Sequence, residues 1–181
     1  MKKNIARFLY LGMILIVILN SCKPAISIIS KNYKDNRPSI STAFIRMNGL
    51  EGSKMFYLKL KDLLKNELGK RGIESEYYIF EQQQGNQKLA DSSSITIINL
   101  HKPDVIFDIN QTMSKESWAK NQTSDNDFKI EIRESNDKSL IWKAYFTTYT
   151  FGPFEDAAAL SCKRIIKHLE KDGLVKRLDK N

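Results

Sequence analysis

Phe128-Lys129-Ile130-Glu131-Ile132-Arg133, followed by Ser135-Asn136-Asp137-Lys138 and then by Leu140 to Thr150, is the stretch that decides how this chain folds. Apolar and charged residues alternate in its first six positions. A period of two puts Phe128, Ile130 and Ile132 on one side of a strand and Lys129, Glu131 and Arg133 on the other. Ser-Asn-Asp-Lys has turn chemistry, so Leu140 to Thr150 returns as the second strand of a hairpin, broken by Gly152-Pro153. The same alternation separates Trp142, Ala144 and Phe146 from Tyr145, Tyr149 and Phe151. If one aromatic face meets helices, the other is exposed as a contact surface or is covered by another part of the chain.

The rest of the chain is arranged around that hairpin. After it, Phe154 to Lys171 carries Ala158, Cys162, Ile165, Ile166 and Leu169 on one helical stripe. Its acids lie at the start and its cations at the end, as the helix dipole favours, which also accounts for His168. Before it, Asp104 to Ile109 and Ile95 to Leu100 are β-branched apolar runs, expected as two central strands, with a short helix over Gln87 to Asp91. Further upstream, Thr42 to Met47 reads as a strand and Asn48-Gly49 with Gly52 as its turn. Ser53 is a candidate cap for a helix from Lys54 to about Lys70, with Phe56, Leu60, Leu63, Leu64 and Leu68 at helical spacing. Gly72 stops it, and Glu76 to Glu81 completes a β-α-β unit. Thr112 to Asp127 is polar apart from Met113 and Trp118 and reads as a long connection. Two amphipathic helices and about six strands bury their apolar faces most economically as an α+β fold: a single mixed β-sheet with both long helices packed on one face.

The N-terminus has a different grammar. Lys2, Lys3 and Arg7 precede an apolar run from Phe8 to Leu19, about a dozen residues, too short to cross a hydrocarbon core of roughly 30 Å. It reads as a signal sequence. Leu19-Asn20-Ser21-Cys22 resembles the lipobox of bacterial lipoproteins. That resemblance implies cleavage before Cys22, a diacylglycerol on its thiol and usually a further acyl group such as palmitate on the new amine. Lys23 stands where many lipoproteins of the inner membrane carry Asp, which implies the outer membrane. The first acid, Asp35, comes well after the cysteine, which favours the periplasmic face. The expected organisation is a signal peptide over 1–21, a lipidated tether over 22–41, a domain over 42–173 and a tail over 174–181. Ile26, Ile28 and Ile29 are the one cluster in the tether that would suit an additional strand.

Composition narrows the function. The chain has 181 residues and a formal net charge of +8, but three of its 29 basic residues lie in the signal segment. The others are spread along the chain without a basic block, so nucleic acid is not an expected partner. Two cysteines and two histidines exclude a disulfide scaffold and a His-rich metal site. With Cys22 acylated, Cys162 is the remaining thiol and lies on an apolar helical stripe as a buried structural residue.

From Pro103-Asp104-Val105-Ile106-Phe107-Asp108-Ile109 through Lys129 to Arg133 and Ser139-Leu140-Ile141-Trp142-Lys143-Ala144 to the closing helix, residues 42 to 173 resemble small envelope lipoproteins of the DUF4136-like group. More loosely, they are similar to the TolB N-terminal domain and the curli-secretion lipoprotein fold. The resemblance brings no catalytic signature with it.

The residues carry little chemistry of their own. Asp104 and Asp108, four apart on a strand, are about 13 Å apart, too far for a paired-carboxylate glycosidase. The expectation is that Asp104 starts the strand and Asp108 meets a lysine or a backbone amide. His101 has no nucleophile in a G-x-S-x-G elbow to serve. Phosphate-binding glycine loops and a calcium loop are missing from the sequence, so no cofactor and no metal are expected. The expected function is a lipid-anchored periplasmic binding or assembly-accessory protein of the cell envelope without catalysis. It is joined to the membrane through Cys22 and meets an envelope protein partner through Tyr145, Tyr149 and Phe151, while Trp118 either fastens the polar segment 112–127 to the domain or stands exposed as a further partner anchor. An immunity or inhibitor lipoprotein against a periplasmic toxin is the alternative, and a hydrolase a more distant one.

Overall fold

The computed structural model describes residues 26–33, 39–50, 53–81, 87–116, 123–151 and 154–178. Six strands form one mixed sheet: β1 Ile26–Asn32, β2 Thr42–Gly49, β3 Glu74–Glu81, β4 Val105–Glu116, β5 Thr123–Glu134 and β6 Leu140–Phe151. Three helices accompany it: α1 Lys54–Gly69, α2 Gln87–His101 and α3 Phe154–Lys171. The spatial order is β1-β6-β5-β4-β2-β3. β2 pairs in parallel with both β3 and β4, and the remaining neighbours are antiparallel. β2, β3, β4 and β6 therefore run one way, toward what we term the upper end, and β1 and β5 run back.

The fold is the expected α+β arrangement, with the long helices α1 and α3 on one face. Their core contains Leu60, Leu64 and Leu68 of α1 and Ala158, Cys162, Ile165, Ile166 and Leu169 of α3. These pack over Ile45, Met47, Phe107, Ile109, Ile130, Ile132, Trp142, Ala144 and Phe146 from the sheet. A ring series of Phe56, Phe128 and Phe146 stacks through the layer at centroid distances of 5.3 and 4.6 Å. At the lower end Arg71, just past α1, donates to Glu67 at 2.8 Å and to Glu170 of α3 at 2.7 Å. Gly72 and Gly173 terminate their helices in the left-handed region, at φ 75° and 69°, which glycine adopts without steric cost.

Four local expectations are corrected. Ile95 to Leu100 is not a strand but the second half of α2, which lies across the other face of the sheet. Ser94, Ile97 and Ile98 recur at helical spacing toward Phe44, Tyr78 and Ile106. β2 already has β3 on one side and β4 on the other, so it has no free edge for this run, which instead covers its exposed face as a helix. The segment expected as a tether contains β1, which adds an edge strand to β6, so the alternative reading of the Ile26 cluster holds.

Thr112 to Asp127 is not an open connection, because β4 and β5 continue to Glu116 and from Thr123. Where their side chains are described they bond across strands: Gln111 donates to Asn126 at 2.7 Å, Thr112 to the Asp127 carbonyl at 3.2 Å and Thr147 to Asp127 at 2.6 Å. Ser53 makes no side-chain cap; its hydroxyl donates to the Leu50 carbonyl at 2.6 Å. The chain can be this tight here because residue 49 is glycine. A Cβ on Gly49 would stand 2.1 Å from Ser53 Oγ and 2.4 Å from Tyr57 Cε2.

Candidate partner-binding surface

The two faces of the sheet are covered unequally. Among the described residues α1 and α3 pack on one face, whereas on the other α2 packs over β2, β3 and β4. Under α2, Arg46 Nε donates to Asp108 Oδ1 at 2.5 Å, and Arg46 also reaches Ser94 Oγ at 3.4 Å. Asp108 is buried, so the partner expected as a lysine or an amide is this arginine, which ties β2 to β4 beneath the helix.

The β5-β6-β1 half of that face carries the side chains that α2 leaves uncovered. Register aligns Arg46, Asp108, Glu131, Lys143 and Lys31 in one row across five strands. The next row toward the upper end is Asn48, Asn110, Lys129, Tyr145 and Ile29. Glu131 is approached by Arg133 at 3.1 Å, Lys143 at 3.4 Å and Lys129 at 3.5 Å. Burial alone would raise its pKa, but the Arg133 hydrogen bond and the surrounding cations outweigh burial and hold the carboxyl below its ordinary range. Tyr145 is 50% exposed and Ile29 76%. Lys143 lies over the Tyr145 ring and Lys31 over the Tyr33 ring, each 5.1 Å from the centroid, a cation–π geometry. Among the described side chains the surface thus sets Tyr145, Ile29 and Tyr33 among four cations, Lys31, Lys129, Arg133 and Lys143, with Glu131 and, one row further up, Asp127 as carboxylates.

Of the residues singled out from the sequence, Tyr145 lies in this patch. Tyr149 and Phe151 continue β6 opposite Asp125 and Thr123, and their side chains are outside the described set. Cys22 and Trp118 also lie outside the described residues. Sequence reasoning missed Lys31 and Tyr33, because the segment 22–41 was read as tether. The alternation of Ile29, Lys31 and Tyr33 was the available signal.

The remaining chemical candidates are separated. Cys162 is buried in the α1/α3 core, and burial, reinforced by the charge of Glu67, pushes its thiol up to about 12. His101 is exposed at the end of α2 on the other side of the sheet. His168 is not simply a solvated dipole partner: its Nδ1 lies 3.2 Å from Ser30 Oγ, and burial lowers its pKa despite the nearby Asp172. Asp104 stands just before β4, one residue short of the strand start expected for it, and accepts from Ser41 N, Ser41 Oγ and Thr42 N at 2.8 Å each. Burial opposes its ionisation, but these bonds outweigh it and keep the carboxyl below its usual range. Among the described residues no cluster of His, Cys, Asp and Glu is arranged to hold a metal ion. No helix among them is long and apolar enough to cross a membrane.

Fold and surface together define a class: a mixed-sheet α+β domain with two helices on one face and, among the described residues, one helix over half of the other. No family model matches the chain, and no curated protein matches it. Among solved structures the chain is similar to the PelC dodecamer from Paraburkholderia phytofirmans, at 10% identity and a TM-score of 0.53, covering 80% of this chain and 97% of that one. A second structure, of a PelC point variant, gives 9% identity, a TM-score of 0.52 and coverage of 75% and 92%. At this identity the likeness is one of fold.

Proposed function

We propose that this chain is a lipid-anchored periplasmic protein of the outer membrane, held by acyl groups on Cys22, and that it serves as a non-catalytic binding or assembly-accessory factor. The observation that carries the reading is the half-covered sheet. A domain able to place α2 over one half of a face leaves Tyr145, Ile29 and Tyr33 exposed on the other, set among Lys31, Lys129, Arg133 and Lys143. Aromatic and basic side chains on a sheet suit recognition of an acidic surface on an envelope protein, since the four cations outnumber the two carboxylates described there, Glu131 and Asp127. The lipid supplies location: each buried methylene adds about 0.8 kcal/mol, so two or three chains hold the domain at the membrane almost permanently.

Two measurements test this. Cys22→Ser is expected to leave an unprocessed precursor that takes up no labelled palmitate, and normal processing of the variant refutes the anchor. Crosslinking of the full-length lipoprotein in cells is expected to capture an envelope protein, and the double variant Tyr145→Asp, Lys143→Glu is expected to lose it. Unchanged capture by a folded double variant refutes the role of the open half-sheet.

A further inference from the structure

The sheet ends in β1 on one side and β3 on the other, each with one free edge. Tyr33 N–H donates to the Ile141 carbonyl, so the backbone groups of Ile29, Lys31 and Tyr33 turn toward β6, and those of Ile28, Ser30 and Asn32 turn outward. Glu74 N–H donates to the Ser41 carbonyl, so on β3 the outward groups belong to Ser75, Tyr77 and Ile79. Among the described residues none pairs with either set. The chain next to β1 is too short to cover its edge. Ser41, just before β2, lies four strand spacings or about 19 Å from β1. The residues that lead there from Tyr33 reach at most about 28 Å, which leaves no length for a turn and a further strand. On the anchor reading the mature chain begins at Cys22, and Ile26 follows four residues on.

The two edges complement each other and not themselves. Ile29, Lys31 and Tyr33 stand on the open face, and by alternation Glu74 and Glu76 stand on that same face of the sheet with Tyr78, which packs under α2. An antiparallel pairing that joins the outward groups can set Ile28 against Ile79, Ser30 against Tyr77 and Asn32 against Ser75 of a second copy. The residues between them then place Lys31 opposite Glu76, Ile29 opposite Tyr78 and Tyr33 opposite Glu74. Ile28 and Ile79 are both partly buried against the core on the helix side, and Lys31, Glu74 and Glu76 are exposed. Two copies of β1 would instead crowd their Lys31 side chains at one seam together with Arg164, Lys167 and Lys171, which lie near His168 beside Ser30. Two copies of β3 would crowd Glu74 and Glu76. Like charges across a strand pair oppose both.

We propose that β1 of one copy of this chain adds to β3 of a second copy, in the antiparallel register that pairs Lys31 with Glu76, and so extends the sheet from copy to copy. The contact goes beyond the proposed function and takes from it only the cleavage at Cys22. Backbone hydrogen bonds hold the strands together, and the charge pair and the contact of Ile28 with Ile79 select the register. Because α2 packs over the β3 half of its sheet, each open half-sheet then lies between its own α2 and that of the next copy.

The test uses the full-length chain in cells, carrying Tyr33→Cys together with Glu74→Cys, both at exposed positions. Directly opposed residues of a non-hydrogen-bonded pair stand about 4.5 Å apart at Cα, within the span of a disulfide. Inside one copy the two positions are five strand spacings or about 24 Å apart, so a disulfide between them joins copies. Cys162 is buried and does not compete. Under mild oxidation the double variant is expected to give a ladder of multimers, and the two single variants expressed together are expected to stop at dimers. Ile29→Cys with Glu74→Cys, displaced by four residues or about 13 Å, is expected to give none. Adding Lys31→Glu is expected to lower the ladder about tenfold, and adding Glu76→Lys as well to restore it. A folded double variant that stays monomeric, an equal yield from the displaced pair, an unchanged ladder with Lys31→Glu, or dimers from Tyr33→Cys alone overturns the pairing. Capture of a different protein by Tyr33→Cys in place of the ladder assigns the edge to that protein and overturns it too. Palmitate uptake in the same samples judges the anchor separately: a ladder without palmitate refutes the anchor and leaves the pairing, and palmitate without a ladder does the reverse.

Discussion

Replacing Asp172 by alanine tests whether the first strand belongs to the domain. Asp172 follows α3, and its Oδ2 accepts from Trp142 Nε1 at 2.8 Å and from Ser30 Oγ at 2.6 Å. One carboxylate oxygen thus joins β1, β6 and the end of α3. Hydrogen bonds to a charged group contribute about 1.5–3 kcal/mol each when buried. The carboxylate is only half-buried and the Ser30 hydroxyl can turn to water, so that bond is discounted. The indole has no such recourse, because Trp142 is 0% exposed and its N–H would lose its acceptor.

The expected cost is therefore about 2–3 kcal/mol, dominated by the stranded indole N–H. For a domain of this size that lowers the melting temperature by roughly 5–10 °C. The loss also has a pH signature. Burial opposes ionisation of Asp172, but the bonds from Ser30 and Trp142 and the charges of His168 and Lys171 outweigh it, so its folded pKa lies below the ordinary 3.8. The unfolded chain then binds the proton more readily than the native one. The stabilisation is complete above 3.8 and is lost as pH falls through the folded value. Urea unfolding of wild type and Asp172→Ala at neutral pH, and again below 3.8, measures both effects. A difference under about 0.5 kcal/mol at neutral pH, or one that persists undiminished in acid, refutes the reasoning.

The core assignment predicts that Leu64→Ala and Ile166→Ala each lose about 2–5 kcal/mol in urea unfolding, as cavities in packed interiors do; losses under about 0.5 kcal/mol at both sites would contradict it. Cys162, with its thiol pushed up to about 12 by burial, is expected to ignore a thiol reagent in the native protein and to react on unfolding; native reaction at the rate of a free cysteine would place it outside the core.

The sequence by itself determined the elements whose periodicity is strong. α1, α3 and the β5-β6 hairpin stand where alternation or helical spacing put them, because a half-buried element must sort apolar from polar residues along its own length. The same logic separated Trp142 and Phe146 from Tyr145, and so found the centre of the exposed patch. What periodicity could not decide were segments whose structure is set by their neighbours. Ile95 to Leu100 is β-branched enough for a strand, yet with β3 and β4 flanking β2 it becomes the helix that covers them. Residues 112–116 and 123–127 are too polar to announce a strand, and it is their backbone pairing across the sheet that makes them one, helped where side chains are described by Thr112, Asn126 and Asp127. The alternation of Ile29, Lys31 and Tyr33 is too short by itself to tell edge strand from tether, and β1 is held by pairing with β6, by Ile28 against the core and by Ser30 meeting Asp172 and His168. That placement decides the rest: it brings Lys31 and Tyr33 into the patch and shortens the reach from Cys22. Pairing between distant segments is a property of the assembled sheet, and no local window of sequence contains it.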